Sequence, residues 1–126
     1  MGQVMRIAGY AAVYDRVDRA GDVFRAGAFA GAVPVPLLLH HRGAAVGAVL
    51  ALGEDERGLR IAARIDDPAV ARAVRSGALP ALSVGYRARR VTQGAWREIR
   101  AADLAEISLV AVPMQPAARI AAIDDD

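Results

Sequence analysis

The chain has 126 residues, which is enough for a hydrophobic core of its own, and we predict a single domain over 1–126. It contains no cysteine, and all 16 of its basic residues are arginine, which excludes disulfide scaffolds, cysteine zinc sites, cysteine nucleophiles and lysine chemistry. The net charge is only +2, so the pI near 9.7 reflects the chemistry of arginine and does not indicate a nucleic-acid surface.

The pattern of the first half of the chain predicts mostly short strands. In chain order we predict strands over 4–14, 37–41, 46–52 and 58–65, a polar loop over 15–22 and a short helix over 26–33. The last two strands form a β-hairpin pattern, because they are joined by an acidic turn of about five residues. The start of the chain lacks the apolar core of a signal peptide, and the apolar runs are too short to span a bilayer, so we expect a soluble intracellular protein.

The clearest helix signal lies at 68–76. Asp67 is a suitable N-cap, Pro68 suits the first helical position, and Gly77 suits the residue just past the end. Extended segments are then predicted over 82–91, 96–100, 107–112 and 119–123. Many short, closely spaced strands favour a strand-rich α+β fold built on a barrel or sandwich.

The residues available for catalysis are few. A metal site is not expected, because neighbouring histidines on a strand, such as His40 and His41, point to opposite faces. The carboxylates show no spacing that suggests a glycosidase. The remaining catalytic option is a serine activated by a histidine, with an acid to orient the imidazole.

Ser83 is the most informative of the three serines. Gly85 follows it by two residues and would leave space beside the hydroxyl for a substrate backbone. The stretch is not the Gly-x-Ser-x-Gly elbow of α/β-hydrolases, since residue 81 is Ala81. Ser76 is interpreted as a helix-end residue, and Ser108 as a structural serine between large apolar side chains.

Five motif blocks from about residue 6 to residue 120 together resemble the prohead (procapsid maturation) serine proteases of tailed phages, of the kind named for phage HK97. The blocks are Gly9-Tyr10-Ala-Ala-Val13; Gly21-Asp22-Val23 with Gly27-Ala-Phe29; Pro36-Leu-Leu-Leu-His-His41; Gly77-Ala-Leu79 with Leu82-Ser-Val-Gly-Tyr86; and Leu104-Ala-Glu-Ile-Ser-Leu-Val110 with Pro113 and Pro116-Ala117. Each block alone is weak, but their order along the chain is specific. The family is related to the herpesvirus assemblin proteases, so the resemblance implies a β-barrel flanked by a few short helices.

The resemblance also implies roles for individual residues. Ser83 would be the nucleophile, His41 the general base and Glu106 the acid that orients His41, with Asp103 as its substitute. Asp22 is interpreted as a residue that holds a loop turn. The family often carries Asp directly after the histidine, where this chain has Arg42, which puts an acid at that position in doubt.

A member of this family would be a serine endopeptidase that works without a cofactor or metal, as a homodimer inside the procapsid in the bacterial host cytoplasm. Its partners would be the scaffold or the scaffold-like N-terminal segment of the major capsid protein, which it cleaves, and it would cleave itself. Whether the particle belongs to a phage, a prophage or a gene transfer agent stays open, and so does the oxyanion hole, for which Gly85, Arg87 and Arg119 are considered. The chain ends shortly after the last block, so we expect a protease domain without a long C-terminal extension. The alternative is a structural or assembly module of the same barrel whose chemistry has lapsed.

Overall fold

The computed structural model describes residues 4–125 and has eight strands and one helix in that range. In chain order the elements are β1 (Met5–Val13), β2 (Asp22–Phe24), β3 (Pro36–Leu39), β4 (Arg42–Glu54), β5 (Gly58–Ile65), α1 (Pro68–Ser76), β6 (Ala81–Gln93), β7 (Arg97–Val110) and β8 (Ile120–Asp125). No helix in this range has the length and apolar character that crossing a membrane requires.

The strands form one mixed sheet that closes on itself. Its order is β6-β7-β3-β4-β5-β1-β8. The long strand β7 pairs with β6 along one edge, and its other edge pairs in parallel with β2 near its start and with β3 near its end. A bridge between Ala81 and Arg119 joins the beginning of β6 to the segment that enters β8. The Leu82 N–H donates to the Ala118 carbonyl at 3.0 Å beside it. This closure confirms the predicted strand-rich barrel.

Alternating side chains fill the inside of the barrel. Strand β5 shows the pattern clearly, since Leu59, Ile61 and Ala63 are buried while Arg60 is exposed. The largest side chains that are fully buried, all with less than 2% exposure, include Met5, Phe24, Phe29, Leu37, Leu59, Ile61, Leu82, Ile99, Ile107 and Leu109. All but one of these residues lie on strands. On β6 and β7 the buried Leu82, Ile107 and Leu109 point into the core, so the residues that alternate with them lie on the opposite face.

Helix α1 confirms the prediction over 68–76. The Asp67 carboxylate accepts the N–H groups of Ala69 and Val70, and Pro68 occupies the first turn. Gly77 takes the left-handed conformation that ends the helix. Val70 and Val74 are the buried residues of the helix, so its apolar face packs on the barrel core.

The predicted helix over 26–33 is wrong, because this segment forms successive turns. Their N–H groups bond three residues back, as from Ala28 to the Arg25 carbonyl at 3.0 Å. Gly27 and Gly31 have φ values of 87° and 78°, which a right-handed helix does not allow. A single helix therefore accompanies the barrel in the described range. In addition, β7 is one strand where two shorter segments were predicted.

Candidate active site

His40 and His41 form the tight turn between β3 and β4, and the prediction of a strand that runs to His41 is wrong. Strand β3 ends at Leu39, which pairs with Arg42, so the two histidines are the central residues of a two-residue hairpin. Their φ values of 51° and 64° are positive, as a type I′ turn requires. The argument from opposite strand faces therefore does not apply, and the turn itself decides which histidine faces the serine.

The turn lies against β7, which runs between β3 and β6. The N–H of His40 donates to the Leu109 carbonyl at 3.1 Å, and the N–H of His41 donates to the Ser108 hydroxyl at 2.9 Å. Strand β3 is parallel to this part of β7, with Leu39 opposite Leu109. The His41 imidazole is thereby held beside the face that β6 and β7 turn away from the core.

Strand register brings four residues together on that face. Ser83 lies opposite Ser108, and Gly85 lies opposite Glu106, so these two cross-strand pairs are neighbours on one side of the sheet. Val84 lies between Ser83 and Gly85 on β6 and pairs with the buried Ile107 on the opposite face of the sheet. The register shifts directly after Gly85, which is a common arrangement beside functional sites.

The three residues assigned to catalysis by resemblance form one hydrogen-bonded chain. His41 Nε2 lies 3.1 Å from Ser83 Oγ, and His41 Nδ1 lies 2.6 Å from Glu106 Oε2. An ionised carboxylate can only accept, so it favours the tautomer that carries its proton on Nδ1. Nε2 is then left as an acceptor that faces the Ser83 hydroxyl, which is the arrangement that a general base needs.

Burial differs along this chain of residues. Ser83 is 6% exposed and the Glu106 side chain 14% exposed, while the His41 side chain is 42% exposed. The carboxylate is therefore shielded, and the imidazole that it contacts stays open to an approaching substrate. No group of three His, Asp or Glu side chains within residues 4–125 could hold a metal ion.

Ser108 lies in this site, although its apolar sequence neighbours indicated a purely structural serine. It is fully buried, its hydroxyl donates to Glu106 Oε1 at 2.7 Å, and the same oxygen accepts the His41 N–H. The available signal was its spacing, since residues two apart on a strand share a face and Glu106 lies two residues before it. The apolar neighbours Ile107 and Leu109 point to the core and say nothing about this face.

Gly85 makes room for Glu106. A Cβ atom at residue 85 would overlap Glu106 Oε2 and lie 2.7 Å from its Cδ. The space on that side of Gly85 is therefore filled by the carboxylate, not open to a substrate backbone as the sequence suggested. Binding of substrate or oxyanion by the Gly85 backbone stays a prediction.

The other acidic residues considered lie elsewhere. Asp103 is exposed and pairs with Arg87 at 3.3 Å and with Arg89 at 2.8 Å. Asp22 is buried and accepts hydrogen bonds from the Tyr86 hydroxyl at 3.0 Å and from Arg97 at 3.1 Å. The structure thus brings Glu106 to His41 and keeps Asp103 and Asp22 in other ion pairs.

Two further predicted residues also make contacts away from the imidazole. The Arg119 guanidinium donates to the Pro116 carbonyl at 2.9 Å, and the Arg87 guanidinium contacts Asp103. His40 is exposed, and its backbone N–H is bound to β7. The part of Arg87 and Arg119 in an oxyanion hole stays a prediction.

A small cavity of about 20 Å³ borders Ser83. It is lined by Ala11, Asp18, Phe24, Leu82, Ser83, Val84, Tyr86, Met114, Gln115 and Ala118. Burial, reinforced by the hydrogen bond to Asp22, raises the pKa of Tyr86 well above its usual range. Tyr86 therefore stays protonated near neutral pH, and Ser83 is the lining residue with an imidazole beside it.

Comparison with known proteins agrees with this geometry. The family model described as caudovirus prohead serine protease matches residues 2–126. The chain belongs to the caudovirus prohead serine protease family. Among curated proteins, none matches the sequence.

Solved structures with the same fold come from herpesviruses. The protease of Kaposi's sarcoma-associated herpesvirus, in complex with a hexapeptide phosphonate inhibitor, has a TM-score of 0.67 at 14% identity. The varicella-zoster virus protease has a TM-score of 0.61 at 17% identity. Each comparison covers 98% of this family member, which spans 66% and 64% of the two herpesvirus chains. These likenesses confirm the expected fold.

Proposed function

We propose that this protein is a serine endopeptidase that matures procapsids. Its substrates are the scaffold, or the scaffold-like N-terminal segment of the major capsid protein, and the protease itself. The observation that carries this proposal is the continuous hydrogen-bonded chain from Ser83 through His41 to Glu106 in a member of the prohead protease family. The hexapeptide inhibitor in the herpesvirus protease of the same fold is consistent with a peptide substrate.

The first half of the reaction acylates the serine. His41 Nε2 takes the hydroxyl proton as Ser83 Oγ attacks the peptide carbonyl carbon, so an O–C bond forms and the carbonyl oxygen becomes an oxyanion. The imidazolium then gives that proton to the amide nitrogen, the C–N bond breaks, and the amine product leaves. Glu106 stabilises the imidazolium and keeps its Nδ1 proton in place during both transfers.

The second half releases the acyl product. His41 takes a proton from water, the hydroxide attacks the acyl carbon, and the returned proton restores the Ser83 hydroxyl as the ester bond breaks. No cofactor enters these steps. We propose that the enzyme acts as a homodimer inside the procapsid, in the host cytoplasm, during assembly of a phage, prophage or gene transfer agent particle.

The complete hydrogen-bonded chain favours an enzyme over a barrel whose chemistry has lapsed. The shielded Glu106 carboxylate lies 2.6 Å from an imidazole that itself lies 3.1 Å from a serine hydroxyl. Shielded polar groups are costly unless they are paired, and an assembly role alone does not require this arrangement of serine, imidazole and carboxylate.

The test is co-expression of the full chain with its capsid protein and scaffold in bacterial cells. Procapsids made with the wild-type chain should contain cleaved capsid protein or scaffold, whereas Ser83→Ala should assemble procapsids in which neither is cleaved. Ser76→Ala is the matched control, because Ser76 lies at the exposed end of α1 and bonds only locally. Normal maturation with Ser83→Ala would overturn the proposal.

A further inference from the structure

We propose that Ser108 is a positioning residue for this reaction, because one hydroxyl fixes both the acid and the backbone of the base. The inference rests on the proposed function, in which His41 is the base and Glu106 orients it. In this proposal Ser83 remains the nucleophile, and the Ser108 hydroxyl bonds to Glu106 and to the His41 N–H. Its effect is on the geometry of the two residues that it binds.

The first part of the argument concerns the Glu106 carboxylate. Its Oε2 faces His41 Nδ1 at 2.6 Å, and its Oε1 accepts the Ser108 hydroxyl proton at 2.7 Å. The terminal torsion of a glutamate is broad when nothing restrains it. A carboxylate bound at both oxygens keeps one orientation, and hydrogen bonds to a charged acceptor are among the strong ones.

The second part concerns the His41 backbone. A residue other than glycine with φ of 64° is in a sparsely populated conformation that persists only when its surroundings hold it. The His41 N–H donates to Ser108 Oγ at 2.9 Å, and the adjacent His40 N–H is held by the Leu109 carbonyl. Ser108 therefore holds the turn in the conformation that directs the imidazole toward Ser83.

The third part is the direction of the hydrogen bonds. The carboxylate can only accept and the backbone N–H can only donate, so the group between them must do both at once. A hydroxyl has this capacity, and alanine lacks it. Because Ser108 is fully buried, its proton is committed to Glu106, and Ser83 alone faces His41 Nε2.

The experiment compares Ser108→Ala and Ser108→Cys in the full chain. Cysteine keeps the volume of the buried site and replaces the hydroxyl by a weak donor, so it carries the test if the alanine variant does not fold. We expect either change to lower the rate constant of capsid-protein cleavage roughly 10- to 100-fold, the size expected when a catalytic group is misplaced by about 1 Å. The KM should change little, and Ser76→Ala is again the matched control.

A double-mutant cycle separates a positioning role from a general loss of stability. In a Glu106→Ala background, Ser108→Ala should lower the rate by a clearly smaller factor than in the wild type, because one of its two partners is already absent and only its hold on the His41 backbone remains to be lost. Losses that multiply in full would overturn the proposal, since Ser108 would then act independently of Glu106. An unchanged rate in both Ser108 variants would overturn it as well.

A spectroscopic measurement decides the point even if the chain cleaves nothing. With labelled histidine, the wild-type chain should show a slowly exchanging, downfield Nδ1–H resonance from His41, which Ser108→Ala and Ser108→Cys should lose. His40 serves as the internal reference in the same turn. Persistence of the His41 resonance in both variants would overturn the role of Ser108, whereas absence of cleavage with loss of the resonance would count against the proposed function alone.

Discussion

Glu106 and Glu54 each accept a hydrogen bond from a hydroxyl group, but different groups complete the two clusters. In the site cluster, which comprises Glu106, Ser108, His41 and Ser83, the carboxylate faces an imidazole with a serine beyond it. In the hairpin cluster, which comprises Glu54, Tyr14 and Phe29, the carboxylate accepts from the Tyr14 phenol and from the Phe29 N–H.

The difference lies in whether a proton can move near neutral pH. Burial, and next the hydrogen bond to Glu54, raise the pKa of Tyr14 far above its usual range, so this phenol keeps its proton. Histidine is the side chain whose ordinary pKa allows proton transfer near neutrality. We therefore expect the carboxylate beside the imidazole to serve the proposed reaction and the carboxylate beside the buried phenol to stabilise the fold. Changes in the first cluster should lower activity, and changes in the second should lower stability.

The largest expected effect comes from the histidine turn. We expect His41→Ala to lower the cleavage rate by roughly 10⁴-fold or more, because the base is lost. His40→Ala should change the rate by less than about threefold. Both residues have positive φ, so the two variants carry the same backbone penalty and are matched controls. The rate of capsid-protein cleavage in co-expressed procapsids checks this, and equal losses would contradict the assignment of His41.

The next effect concerns the acid. Glu106→Gln should lower the cleavage rate by about 10²-fold or more with an unchanged thermal midpoint, because the amide has lost the charge that stabilises the imidazolium. Asp103→Asn is the matched control, since Asp103 is an exposed acid on the same strand that pairs only with arginines. A larger loss in Asp103→Asn than in Glu106→Gln would give the orienting role to Asp103.

A smaller loss is expected when Glu106 is displaced but kept. In Gly85→Ala the new Cβ would overlap the Glu106 carboxylate, so the acid must move and the cleavage rate should fall roughly 10- to 100-fold. Gly53→Ala is the matched control, because a Cβ at this strand glycine meets nothing within 4 Å. Retained activity in Gly85→Ala would show that the close approach of Glu106 to residue 85 is not needed.

The smallest effect on activity is expected from the hairpin cluster. Tyr14→Phe should leave the cleavage rate unchanged and lower the free energy of unfolding by about 1–2 kcal/mol, because a partly buried carboxylate loses a donor. The phenol pKa is higher in the folded than in the unfolded state, so its contribution is complete below pH of about 10 and is lost as the pH rises above that.

Denaturant unfolding of Tyr14→Phe and wild type at neutral and alkaline pH measures both parts of this prediction. The stability of the variant should fall less steeply than that of the wild type above pH of about 10. A cleavage rate that falls together with stability would mean that the two clusters are not functionally separate.

Local signals explain what the sequence could predict of the fold. The capping residues Asp67, Pro68 and Gly77 define α1 without any distant partner, and β5 was predicted with its observed bounds. The turns over 26–33 were mistaken for a helix, because apolar spacing alone does not reveal that Gly27 and Gly31 adopt positive φ. The three-residue strand β2 depends on its distant pairing with β7 and leaves no local pattern.

The site divides in the same way. His41, Ser83 and Glu106 were assigned by resemblance, and the structure brings them within hydrogen-bond reach. The contribution of Gly85 depends on the register between β6 and β7, which places it opposite Glu106 and is set by pairing along both strands. The contribution of Ser108 was signalled by its position two residues after Glu106, but its bond to the His41 N–H depends on the distant β3–β4 turn.

The central claim is that Ser83 is a nucleophile activated by His41. The most direct measurement is to treat assembled procapsids containing the full chain with a fluorophosphonate probe and to identify the modified residue by mass spectrometry. We predict that Ser83 alone is modified in the wild type and that Ser83→Ala and His41→Ala give no modified serine. Modification of Ser76 or Ser108 in place of Ser83, or no modification in procapsids that contain the wild-type chain, would contradict this account.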